Sequence, residues 1–258
     1  MARSNARRPG GLPHSWVSIA MALWAAPGAL LAWDEATYRA VAEDSFRLLP
    51  PSLQEAVEPY KDALIEGAAE PLSLHKGKRH TYDVSTGKGD LIEESLKAIE
   101  EGIKLVEERK PFKEVARQLG IMCHFAVDLA DPLRASDEDP READIEEDFA
   151  AFAVRQKEKF LLVFPGYPPK FLSKGLEPYL KRFSDHSRTY YPILLRAYHP
   201  DGKRVSSEAF DERSTAFGVA SVCFSQAIVT TGTMWVHFWH RAHGDMNKTP
   251  FLSEKEHF

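Results

Sequence analysis

Apolar residues recur along this chain at three- and four-residue spacings, and no stretch alternates convincingly at a period of two. A chain without strand patterning buries its core by packing helix against helix, so the expected fold class is all-α, a single compact multi-helix domain. Punctuation divides the pattern. Pro50-Pro51 breaks the first helix, and Ser52-Leu53-Gln54-Glu55 reads as a capping box for the second. Residues 67 to 89 lack a clean period and read as a long functional loop. Asp90, with Glu93 at the box position, is expected to cap a helix reaching Lys110. Pro111 restarts the chain into a helix that Pro132 ends. An acidic stretch, Asp137 to Asp148, leads into a helix carrying Phe149 and Phe152. A Pro-rich loop (164–169) precedes a helix from about Leu176 to Ala197, and a last helix spans about Ser207 to Ala242, stopped by Gly244.

The N-terminus has its own logic. Arg3, Arg7 and Arg8 precede an apolar run from Trp16 to Ala32, interrupted by Pro27 and Gly28 and short for a membrane span. A basic start, an apolar middle and a small residue at the end read as a secretory signal peptide over residues 1–32, with an uncleaved membrane anchor as the competing reading. Cleavage after Ala32 leaves residues 33–258, beginning at Trp33 and exported to a periplasm or to the medium. It also moves formal charge from −5 to −8, because the removed part holds three Arg and no acid. A net acidic body has no general attraction for nucleic acid. Of the two cysteines, Cys123 sits within a helical apolar pattern, which favours two buried free thiols over a Cys123–Cys223 disulfide.

His124 and Asp128 stand four apart on one helix, so both side chains leave the same face about one turn apart. An imidazole and a carboxylate placed that way can close on one cation. Upstream, Gly67-Ala68-Ala69-Glu70-Pro71 and His80-Thr81-Tyr82-Asp83 place a carboxylate and an imidazole on the irregular segment. Glu70, His80, His124 and Asp128 together form a donor set suited to Zn²⁺.

With Trp33 at the start, Ala68-Ala69-Glu70, His80-Thr81-Tyr82-Asp83 and His124-Phe125-Ala126-Val127-Asp128-Leu129-Ala130-Asp131-Pro132-Leu133 in that order, the chain resembles the zinc-dependent phospholipase C and single-strand-specific nuclease family over about the first half of residues 33–258. These are secreted all-α enzymes with a trinuclear zinc cluster. The resemblance implies that Glu70, His80, His124 and Asp128 hold one zinc, to which the amino terminus of Trp33 can add. It also implies a phosphodiester substrate, either a phospholipid head group or a nucleic acid, and a possible membrane-surface contact.

The departures are chemical. Tyr38 stands where the family has its first His, Glu70 replaces Asp, and Arg134 replaces the His closing the helix motif. The next helix offers Glu142 through Phe149, rich in acids but without the family's His. A guanidinium stays protonated and cannot bind a metal, and a neutral phenol is a poor zinc ligand. One zinc rather than three is therefore expected. For catalysis, Glu70 would orient a zinc-bound water and Arg134 would pair with phosphate. The competing reading of Arg134 is an ion pair with Glu147 or Glu142, and the dense acids favour it. His75, beside Lys76, Lys78 and Arg79, reads as part of a solvated basic loop. His237, His240 and His243 could share a face, but an amphipathic last helix burying Trp235, Phe238 and Trp239 is favoured. Tyr190 and Tyr191 read as core packing. Two functions follow: an exported metal-dependent phosphodiester hydrolase, or a non-catalytic descendant with a structural or binding role in the cell envelope.

Overall fold

The computed structural model describes residues 33, 35–74, 80–135, 139–168 and 170–252; the expected signal segment 1–32 and the basic cluster around His75 lie outside them. Ten α-helices follow one another in the described residues: α1 (Glu35–Ser45), α2 (Pro51–Val57), α3 (Lys61–Leu74), α4 (Leu91–Glu107), α5 (Phe112–Ala130), α6 (Arg141–Gln156), α7 (Phe171–Lys174), α8 (Glu177–Arg188), α9 (Tyr191–Tyr198) and α10 (Thr215–Arg241). The fold class is all-α, as the periodicity implies. The only described strands, β1 (Tyr82–Asp83) and β2 (Lys88–Gly89), form a two-residue antiparallel hairpin, too short to leave a period-two signature.

Helix α5 is the axis of the structure. Its first half buries one stripe, but every residue from Met122 to Ala130 is buried, because α3, α4, α8 and α10 enclose it. Gly67 of α3 and Gly120 of α5 make the closest crossing: a Cβ on Gly67 would collide with the Arg117 carbonyl, and one on Gly120 with that of Leu64. The lack of side chains at these two positions brings the α3 backbone against the helix that carries His124. The second core helix, α10, is long and apolar enough to cross a membrane, with a mean hydropathy of 1.3, yet 78% of that window is buried inside the protein. Burial among neighbouring helices accounts for its composition.

Several boundaries differ from the sequence expectation. Residues 67–74, expected as loop, continue α3 through Pro71, since apolar packing on α5 outweighs the missing backbone donor. Ser52 does not cap α2. Its hydroxyl donates to the Asp245 carbonyl at 2.6 Å and accepts from Trp239 Nε1 at 2.9 Å, tying α2 to the C-terminal segment. Asp90 precedes α4 without a side-chain cap bond, its carboxylate being turned toward His80. The expected helix from 176 to 197 is two, because Pro192 starts α9 afresh. Ser214, not a residue near Ser207, caps α10 by accepting from the Phe217 amide at 3.2 Å. Cys123 and Cys223 are buried free thiols, and burial pushes the Cys123 thiol up to about 12.

Candidate functional site

The residues singled out by the α5 motif meet inside the molecule. His124 and Asp128 are 2% and 1% exposed, and Tyr38 of α1 is fully buried against both. The Tyr38 ring stacks on the His124 imidazole, centroids 4.4 Å apart and planes 13° from parallel. Its hydroxyl donates to Asp128 Oδ1 at 2.6 Å. Burial, then the Asp128 carboxylate, raises the phenol pKa well above its usual value, so Tyr38 stays a neutral donor.

His124 Nδ1 lies 3.1 Å from the Ala68 carbonyl, close enough for an Nδ1–H to donate to it. That tautomer turns the lone pair of Nε2 toward Asp128 Oδ2, 3.6 Å away. The two are not an ion pair, since burial lowers the His124 pKa to about 4 despite the adjacent Asp128. The Ala68 carbonyl reaches His124 because the glycine crossing draws α3 against α5.

Arg134 is 3% exposed and lies on the turn after α5. Its backbone carbonyl accepts from Tyr82 N at 2.9 Å, so the β1–β2 hairpin pins this turn. Burial opposes its charge, but Asp128, Tyr38, Asp131 and Glu146 act together to hold the guanidinium pKa above its ordinary value. Its Nη2 lies 3.8 Å from Glu146 Oε1. The ion pair expected for Arg134 therefore forms, with a different partner. Glu147 is exposed, whereas Glu142 and Glu146, four apart on α6, both face inward. Glu142 is taken by Arg188 of α8, Nη1 to Oε1 2.6 Å, and Arg188 also covers the Tyr191 ring at 4.0 Å. The signal for Arg188 in the sequence was only a basic residue in a helix's last turn, which does not indicate where it reaches.

The remaining predicted ligands sit around this cluster without closing it. His80 is buried, with Nδ1 3.3 Å from Asp90 Oδ1 and its ring edge-on to Phe125 at 5.3 Å. The Glu70 carboxylate pairs with Arg117, which lies on α5 seven residues before His124. The Trp33 side chain packs on Phe149 of α6, ring centroids 5.8 Å apart. Among the described residues no group of three or more His, Cys, Asp or Glu side chains is placed to hold a metal ion. His124 Nε2 and Asp128 Oδ2 lie 3.6 Å apart and supply two donors, but a catalytic zinc takes three protein ligands and a structural one four. The residues as arranged do not fit a zinc centre. Near the C-terminus, α10 buries Trp235, Phe238, Trp239 and His237 together, as the amphipathic reading has it.

No protein-family model and no curated protein matches the chain. Among solved structures it is similar to an alpha toxin from Clostridium absonum, with a TM-score of 0.61 and 15% identity over 86% of this chain and 68% of that one. At that identity the likeness establishes a shared helical fold.

Proposed function

We propose that this protein is an exported, non-catalytic descendant of the phospholipase C and nuclease scaffold, serving a binding or structural role in the cell envelope. The observation that carries this reading is the buried Tyr38–Asp128–Arg134–Glu146 cluster. Where the resembled family has ligands to its second and third zincs, this chain has a phenol donating to Asp128 and a guanidinium beside Asp128 and Glu146. A fixed organic cation neutralises buried carboxylates as a metal would, but it offers no exchangeable water and no vacant coordination site. The motif order in the sequence and the fold shared with the alpha toxin support the scaffold part of the reading.

A second reading has one observation in its favour. His124 donates to a backbone carbonyl and turns Nε2 toward Asp128, the arrangement that orients a metal-bound histidine. On that reading the protein is a phosphodiester hydrolase with one zinc on Glu70, His80, His124 and Asp128, which requires Glu70 to leave Arg117. Hydrolysis of a chromogenic phosphodiester with added zinc separates the two. No turnover above the rate of the zinc buffer supports the non-catalytic role. Turnover abolished by His124→Ala, in a variant of unchanged circular dichroism, supports the hydrolase and overturns it.

A further inference from the structure

The four side chains that the sequence resemblance assigns to one zinc divide in the structure into three that gather and one that is drawn away. The imidazoles of His80 and His124 both stand nearly perpendicular to the Phe125 ring, with centroids 5.3 and 5.5 Å from it. His80 is among the groups that lower the His124 pKa, so the two are near neighbours. Asp128 Oδ2 lies 3.6 Å from His124 Nε2, and all three side chains are buried. Glu70 does not join them, because its carboxylate accepts from Arg117 Nη2.

The capture follows from the helix crossing. Glu70 stands three residues after Gly67 on α3, and Arg117 three residues before Gly120 on α5, so each lies about one turn from the glycine at the contact and on its face. The crossing that brings the Ala68 carbonyl to His124 Nδ1 therefore also brings Arg117 to Glu70. Residue 117 is two turns before His124, about 10 Å along the helix axis. A zinc on His124 and Asp128 needs at least one more protein ligand, and no group of three donors closes among the described residues while the Glu70–Arg117 pair is made. The core does not require the Arg117 head group. Its side chain is 50% exposed against 20% for Glu70, and Gly67 meets the Arg117 backbone carbonyl, which a side-chain substitution leaves in place.

We propose that Arg117 is a lock: by pairing with Glu70 it withholds the third donor from His124 and Asp128, and its removal opens a latent site for a borderline divalent cation, with His80 as the fourth ligand. The mismatch between this chain and a zinc centre thus has two separate causes. Tyr38 and Arg134 stand at two metal positions of the resembled family and fill them with fixed groups, whereas at the remaining position the donors are present and one is diverted. The first cause is built into the core; the second is a partly exposed ion pair, which one substitution reverses. Such pairs are weak, so the lock shifts metal affinity by a modest factor. The inference rests on the sequence resemblance for the four positions and concerns metal affinity alone, so it is separable from whether the protein turns over a phosphodiester.

The test is titration of the full chain with Zn²⁺ in competition with a chromogenic chelator, and with Co²⁺ followed by its visible absorption. Protein refolded from urea in the presence of the ion is measured alongside, so that the burial of His124 and Asp128 is no barrier to entry. Arg117→Ala is expected to bind one Zn²⁺ per chain at least about fivefold more tightly than wild type, and to give a Co²⁺ spectrum that the wild type lacks at the same concentration. Arg117→Gln, which keeps most of the side-chain length, should do the same and serves if the alanine variant is poorly folded. Lys113→Ala removes the same charge one turn earlier on α5 and should stay within about twofold of wild type. Adding Glu70→Gln to Arg117→Ala should return the affinity to the wild-type value. The proposal is overturned if neither Arg117 variant binds zinc more tightly than wild type, if Lys113→Ala reproduces the gain, or if the gain survives Glu70→Gln. Loss of turnover or its absence in any of these variants bears on the proposed function and leaves the affinity comparison intact.

Discussion

The buried cluster beside α5 and the cleft beside α10 divide chemistry and space between them. The cluster holds the residue types from which active sites are made: imidazole, two carboxylates, a phenol and a guanidinium. It is closed, with Tyr38, His124, Asp128 and Arg134 all at 3% exposure or less. The cleft is lined by Tyr179 and Phe183 of α8, Val222 and Val229 of α10 and the extended segment 161–168. It is open, has a volume of about 720 Å³ and carries no ionisable chemistry beyond the two suppressed phenols of Tyr167 and Tyr179. In a hydrolase the reactive groups face the cavity. Here they are stacked and paired with one another, and the cavity faces apolar side chains. Reactive-looking residues that are paired with one another in the interior hold a structure together by charge balance.

If the cluster is structural, its removal should be felt in stability first. Arg134→Met strands Asp128, Asp131 and Glu146 without their cation, and is expected to lower unfolding free energy by about 3–5 kcal/mol in urea titration. A loss under about 1 kcal/mol would mean that the guanidinium does not hold the cluster. Tyr38→Phe keeps the stack on His124 but removes the donor to Asp128 Oδ1, and about 1–3 kcal/mol is expected. An unchanged midpoint would show that Asp128 finds another donor.

The pH response separates the interior from the surface. Burial, then Arg241 and His240, lowers the His237 pKa to about 4. A neutral buried imidazole binds its proton less readily than the unfolded chain does. Its contribution is therefore complete above the ordinary histidine pKa near 6.5 and is lost as pH falls toward 4. His237→Leu should flatten stability against pH in that window by a slope of about one proton, and an unchanged slope would show that His237 titrates normally. The smallest effect belongs to the cleft. Val229→Phe adds bulk to existing space, so a change of about 0.5 kcal/mol or less is expected in urea titration. A large destabilisation there would mean that the cleft is packed rather than open.

The sequence carried the fold class because periodicity reports which face of a helix is buried, and most of these helices bury one face. It carried the His124–Asp128 face for the same reason: four residues is one helical turn. It did not carry pairings across elements. Nothing in the spacing of Glu70 says that Arg117 reaches it, nor that Glu146 rather than Glu147 turns inward to Arg134. Those depend on how α3 and α6 rotate against α5, which glycine contacts and core packing decide. The two capping boxes failed for a related reason. Ser52 and Asp90 have local capping geometry in sequence, but tertiary partners, Trp239 with Asp245 and His80, hold their side chains instead.

The central claim is that Arg134 and Tyr38 occupy the role that zinc ions have in the resembled family. Zinc content of the purified protein, measured together with its thermal midpoint before and after chelation, tests it most directly. The expected result is well under one zinc per chain and a midpoint that chelation does not move, the outcome if Arg134 and Tyr38 stand in for the metal. One zinc per chain, lost in Asp128→Ala and with the wild-type midpoint lowered by chelation, would contradict it and restore the hydrolase.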